Sequence, residues 1–132
     1  MEYGPTFRNE FAEMQTAVHE NAKAHGWWED GDRNDGECIA LMHSELSEAL
    51  EALRAGNPPN DKGLESRHWP PAPAGDLHAE SVPLSSVEEE LADVVIRIMD
   101  YAERRGFDVA TAIVKKHAYN KGRPHKHGGK LF

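Results

Sequence analysis

Apolar residues recur at steps of three and four along four separate stretches of this chain, the period of a helix buried on one side. The first stretch runs from about Thr6 to His25, with Phe7, Phe11, Met14, Val18 and Ala22 on one line. Thr6 is the expected N-cap and Gly26 the expected stop. The second covers about Glu37 to Ala55, with Ile39, Met42, Leu46, Leu50 and Leu53 on its stripe, and Gly56-Asn57-Pro58-Pro59 ends it. The third starts at Ser85 or Ser86, where Ser86-Val87-Glu88-Glu89 reads as a capping box, and ends near Arg105-Gly106. Leu91, Val94, Val95, Ile98 and Ala102 give its apolar face. The fourth runs from Asp108, the expected N-cap, to about Tyr119 and buries Val109, Ala112 and Ile113. No period-two alternation stands out and no internal repeat is visible. The pattern predicts an all-α fold, a four-helix bundle with up-down packing.

Between the second and third helices the pattern lapses. Gly56 to Leu84 holds six of the eight prolines and no sustained apolar period, which predicts a long irregular loop. It has room for one helical turn near Leu64, and Trp69 is the residue to anchor it. Asn120 to Phe132 is a basic, glycine-bearing tail. The 132 residues suit one domain, with an irregular insertion at 56–84 and the tail at 120–132.

The formal net charge of -8 argues against binding a nucleic-acid polymer, which calls for a basic face. Cys38 is the single cysteine, so an intrachain disulfide is excluded; on the second helix it is expected as a small buried apolar residue. Met1 to Glu10 has neither the basic segment nor the apolar stretch of a signal peptide. The most apolar segment, Leu91 to Met99, is short and carries Asp93 and Arg97, so no membrane span is expected. These features fit a cytoplasmic protein.

Two acidic signatures change the picture. Glu45-Leu46-Ser47-Glu48 and Glu89-Glu90-Leu91-Ala92-Asp93 each repeat a carboxylate three residues on, which puts both members of a pair on one helix face. Glu45 and Glu48 flank the apolar stripe of the second helix and can face inward across a cleft. Were the two faces to meet, four carboxylates would converge, and such a cluster stays ionised in a partly buried site only with cations. Mg²⁺, a hard ion that takes oxygen ligands, is the simplest candidate.

Three segments taken together resemble the MazG-like, all-α nucleoside triphosphate pyrophosphohydrolases: Ile39 to Arg54 (IALMHSELSEALEALR), Glu89 to Val94 (EELADV) and Lys116 to Pro124 (KHAYNKGRP). They stand in the family's order, and the likeness covers the chain from about Ala24 on, apart from the loop. It implies cleavage of a nucleoside triphosphate, often a deoxy one, between the α and β phosphates, with Mg²⁺ or Mn²⁺. It also implies a four-helix core assembled as a homodimer or homotetramer, with sites at or near subunit contacts. Two departures stand out. Ser44 replaces the leading acid of the family's Glu-Glu-x-x-Glu signature, and the Pro-rich loop lengthens the gap between the acid motifs. Lying between helices, that loop can bulge outward without moving the acids, as a lid or an oligomer arm.

On this resemblance Glu45, Glu48, Glu90 and Asp93 are the expected metal ligands. One of them, or Glu89, is the candidate general base, with helix capping the other role open to Glu89. Arg97, four residues past Asp93, can bind phosphate or pair with a ligand acid. Asn120, Lys121 and Arg123, matching the family's Asn-x-x-Arg-Pro segment, and Lys116 before them are the expected phosphate-binding residues. The plainer account of these cations is charge that complements the dipole at a helix C-terminus. Of Trp27 and Trp28, one is expected to pack and the other to stack on the base. His117, His125 and His127 lack a second cysteine or the spacing of a zinc motif, so zinc is not expected. Two other readings remain: a non-catalytic helical module that binds nucleotide or a protein partner, and hydrolysis of phosphoribosyl-ATP.

Overall fold

The computed structural model describes residues 4–59 and 84–132. The expected helical turn at Leu64, the anchor at Trp69 and the body of the Pro-rich loop lie outside the described residues. Among those described, the chain is mostly helical and has no strand; Pro59 and Ser85 form one isolated antiparallel bridge. The helices are α1 (Pro5–Ala24), α2 (Asp35–Arg54), α3 (Ser86–Arg105) and α4 (Val109–Lys121). A last turn, Lys126–Gly129, has φ of 50°, 52°, 94° and 90°, a left-handed run that its two glycines make tolerable.

Local chemistry fixes the helix ends. The cap of α1 lies two residues before the expected one: Gly4 is the N-cap and Pro5 fills the first helical position, where a missing N–H costs nothing, so Thr6 is already inside the helix. α2 starts at Asp35 because the Asn34 side chain accepts the N–H of Glu37 at 3.3 Å. The capping box of α3 is shifted by one residue from expectation. Ser85 Oγ accepts the N–H of Glu88 at 3.3 Å, and Glu88 Oε1 accepts the N–H of Ser85 at 3.2 Å. Glu88, not Glu89, is therefore the capping acid. Asp108 caps α4 as expected, accepting the N–H of Thr111 at 3.0 Å.

The described chain falls into two compact units. The first comprises residues up to Asp32 and from Met99 on. Here α1 lies against α4, and Gln15 of α1 donates from Nε2 to Glu103 Oε2 and to the carbonyl of Phe107, both at 3.1 Å. Arg105 donates to both oxygens of Asp32 at 2.8 and 3.0 Å, and Arg104 to one at 3.2 Å, tying down the segment after α1. The second unit, Arg33–Ile98, holds α2 and the N-terminal two-thirds of α3. Its two connections run side by side: Ser86 N–H donates to the carbonyl of Pro58 at 3.0 Å, and Val87 N–H to Asn57 Oδ1 at 3.1 Å.

The apolar stripes are the chief difference from expectation. On α2 the buried line is Cys38, Glu45 and Ala49, whereas Ile39, Leu46, Leu50 and Leu53 remain largely exposed. On α1 the buried residues are Gln15 and His19, and Met14 is exposed. On α4 Ala110 is buried, while Ala112 and Ile113 are exposed. The buried positions of α1 and α2 thus mix small and polar side chains, and bulky apolar residues at neighbouring helical positions are left facing out. α3 buries Met99 and Ala102 but exposes Leu91 and Val95. Cys38 is buried as expected.

Candidate functional site

The second unit gathers the acids. Glu45 and Glu48 lie one turn apart on α2, and Glu90 and Asp93 one turn apart near the start of α3. One carboxylate oxygen each from Glu45, Glu90 and Asp93 lies within 4.8 Å of the other two. Glu45 is only 7% exposed, Glu90 and Asp93 are half-buried, and Glu48 is exposed at the rim. Oε2 of Glu90 is buried and has no hydrogen-bond partner. An orphaned carboxylate oxygen carries a desolvation cost that a bound cation would remove.

Their electrostatics follow from crowding. The neighbouring carboxylates of Glu45 and Glu90, which share hydrogen bonding with Glu48 and repel its charge, push it up to about 6. Burial pushes Glu45 up as well, but the guanidinium of Arg97 and hydrogen bonding with Glu48 outweigh it, and Glu45 titrates below its ordinary range. Of the two, Glu48 is therefore the one that takes up a proton first as pH falls through about 6. Arg97 Nε donates to Glu45 Oε1 at 2.5 Å, so of the two roles open to Arg97, pairing with an acid is the one observed.

This donor set is all oxygen, and the spacing of three of its members suits one small divalent ion. Glu48 sits where it can complete the set or hold a proton at its edge. Glu89 is half-buried and is not the capping acid. Ser44, standing where the resemblance would have an acid, turns back on its own helix: Oγ donates to the carbonyl of Leu41 at 2.7 Å. It adds nothing to the cluster.

The remaining expected site residues belong to the first unit. Lys116, Asn120 and Lys121 are on the exposed last turns of α4, and Arg123 follows it half-buried. Lys116 Nζ and the Arg123 guanidinium lie 5.0 and 5.7 Å from the centre of the Tyr119 ring. From Val109 onward there are six Lys or Arg and no Asp or Glu, so the charge of this segment opposes that of the chain. The two tryptophans differ sharply. Trp27 is 64% exposed; Trp28 is 7% exposed and donates its indole N–H to Asp100 at 3.1 Å. Among the described residues His117, His125 and His127 enter no grouping of metal-ligating side chains.

Two residues with a built environment were not singled out by pattern. His19 is buried, its Nδ1 2.7 Å from Asp100 Oδ1 and its ring edge-on to Trp28 at 5.6 Å. Asp100 stands seven residues past Asp93, the two-turn continuation of the acidic line on α3. That spacing was the available signal. A cleft of the first unit, lined by Gln15, Glu103, Phe107 and Asp108 among others, also contains carboxylates. Both are already satisfied, Glu103 by Gln15 and Thr16 and Asp108 by the N-terminus of α4. No protein-family model, curated protein or solved structure matches this chain.

Proposed function

We propose that the chain hydrolyses nucleoside triphosphates, including deoxy ones, to the monophosphate and pyrophosphate with Mg²⁺ or Mn²⁺, in the manner of the MazG-like pyrophosphohydrolases that its motifs resemble. The observation that carries this reading is the convergence of Glu45, Glu90 and Asp93, drawn from two separate motifs, with Glu48 beside them. Glu45, Glu90 and Asp93 would hold the ion, and Glu48 would complete its shell or take up a proton from the attacking water. A bound divalent ion supplies neutralisation of phosphate charge and a more acidic water. Asn120, Lys121 and Arg123, with Lys116, supply donors for the phosphates from a segment free of acids. Trp27 supplies an exposed ring for the base.

The same reading extends to architecture: a four-helix core completed as a homodimer or homotetramer, working in the cytoplasm. The exposed Ile39, Leu46, Leu50 and Leu53 of α2 support an assembly that covers them. No described helix is long and apolar enough to cross a membrane.

The test is phosphorus NMR of purified protein with a panel of dNTPs and Mg²⁺. Pyrophosphate is expected, and Glu48→Gln and Asp93→Asn should each abolish it while leaving the circular dichroism spectrum unchanged. Orthophosphate as the first product would point to a different phosphatase. A second reading, a nucleotide-binding module without turnover, is favoured by one observation, the Ser44 hydroxyl turned away from the acids. It predicts saturable dNTP binding and no product of either kind.

A further inference from the structure

Arg97 occupies a place in the acid cluster that the reading above leaves without a role. Its Nε donates to Oε1 of Glu45, the most buried of the four carboxylates. Negative charge crowds this position from the carboxylates of Glu48, Glu90 and Asp93, and Arg97 is the cation paired with it. The two partners differ in access: the side chain of Glu45 is 9% exposed and that of Arg97 is 36% exposed. The guanidinium therefore has the freer path into solvent. Arg97 also reaches in from the same line of α3 as its neighbours, four residues past Asp93 and seven past Glu90. A divalent ion held by Glu45, Glu90 and Asp93 would meet a fixed positive charge on one of its own ligands.

We propose that Arg97 is a resident counter-cation that competes with the divalent ion for Glu45 and lowers the site's affinity for it. The proposal rests on reading the four acids as a cation site. In the ion-free protein the pairing with Arg97 holds the Glu45 carboxylate in place, so the ligand is preorganised at the expense of ion affinity. When the ion enters, one positive charge replaces another at Oε1, and the long Arg97 side chain swings outward. No bond is made or broken beyond this exchange. A guanidinium displaced from a carboxylate keeps its donors and its charge, which suits it to an anionic ligand arriving with the ion.

Mn²⁺ binding, followed by loss of the free-ion EPR signal at low ionic strength, tests this without reference to turnover. Arg97→Met removes the charge and keeps the apolar stem; Arg97→Gln removes the charge and keeps a donor for Glu45, a second route should the Met variant fold poorly. Each neutral variant is expected to bind Mn²⁺ about tenfold more tightly than wild type, a difference that shrinks with added salt. Arg97→Lys, with its charge retained, is expected to stay near wild type. Affinity unchanged or weakened in a folded neutral variant would overturn the proposal while leaving the cation site standing. If wild type, Arg97→Met and Arg97→Gln all leave Mn²⁺ free at millimolar concentration, the underlying reading of the acids falls, and the competition with it.

Discussion

Nδ1 of His19 on α1 lies 2.7 Å from Oδ1 of Asp100 on α3, and the same carboxylate accepts the indole N–H of Trp28. Three polar groups thus satisfy one another in a region where His19 and Trp28 are nearly inaccessible to water. The arrangement is an all-or-nothing network, because removing the shared acceptor orphans two buried groups together. Asp100→Ala is expected to cost about 3 kcal/mol in a urea denaturation, from two unsatisfied donors at about 1–3 kcal/mol each. Trp28 fluorescence, red-shifted as water reaches the ring, reports the same loss. A cost under about 0.5 kcal/mol, ordinary for a surface site, would show that the network is not holding the first unit together.

The acid cluster ties stability to pH and, under the proposed function, to divalent ions. Glu48 titrates at about 6 in the folded chain against an ordinary 4.5, so the folded state holds its proton better than the unfolded state does. Its contribution to stability is fully present below about 4.5 and is lost as pH rises through about 6. Under the proposed function a divalent ion would reverse that loss, since it would bind the ionised form alone. Thermal melts at pH 5 and pH 7.5, with and without Mg²⁺, measure both effects. The ion should raise Tm at pH 7.5 and do much less at pH 5, and Glu48→Gln should flatten the ion-free dependence across this window. An equal Mg²⁺ effect at the two pH values would separate the ion from these carboxylates.

How much of this was legible in the sequence varies with the range of the forces involved. Helix existence was legible because periodicity and caps are local: Asp108 and Gly26 act where the pattern puts them. The neighbouring serines Ser85 and Ser86 were not distinguishable, since either offers a hydroxyl three residues before a glutamate, and the pairing across Pro59 and Ser85 is a tertiary contact. The convergence of Glu45 with Glu90 and Asp93 was legible as a pair of faces. Which stripe each helix buries was not. On α2, Cys38, Glu45 and Ala49 turn inward in place of the leucines, and the partner that each face meets is a tertiary matter that helical period alone does not encode. Arg97 was visible as a candidate partner of an acid, but the identity of that acid, on another helix, was not.

The tryptophan pair divides its labour by exposure. Trp28 is locked to Asp100 and covered by the Arg104 guanidinium at 4.9 Å from its ring centre, while Trp27 presents most of its surface. Under the proposed function, base stacking falls to Trp27. Trp27→Ala should weaken dNTP binding by about 1–3 kcal/mol, roughly fivefold to a hundredfold or more in affinity, with Tm shifted by no more than a degree or two. Trp28→Ala should instead lower Tm markedly. Stopped-flow or equilibrium titration with each variant reads the difference, and full affinity in Trp27→Ala would remove this residue from the site.

The outward stripe of α2 makes the last prediction a test of assembly. Leu46, Leu50 and Leu53 are 45%, 48% and 56% exposed in the single chain and stand three or four residues apart, a continuous apolar edge. In an isolated monomer a charge at Leu50 would cost little, within about 0.5 kcal/mol, because water already reaches the position. In a dimer or tetramer that covers this edge, the same substitution places two or more charges in a buried symmetric contact and should disrupt it. Leu50→Glu is therefore expected to move the protein to monomer mass by light scattering and to lower Tm in a concentration-dependent way. The unsubstituted chain should run as a multimer under the same conditions. If it already runs as a monomer, with Leu50→Glu indistinguishable from it, the edge is simply solvated and the proposed assembly does not form through α2.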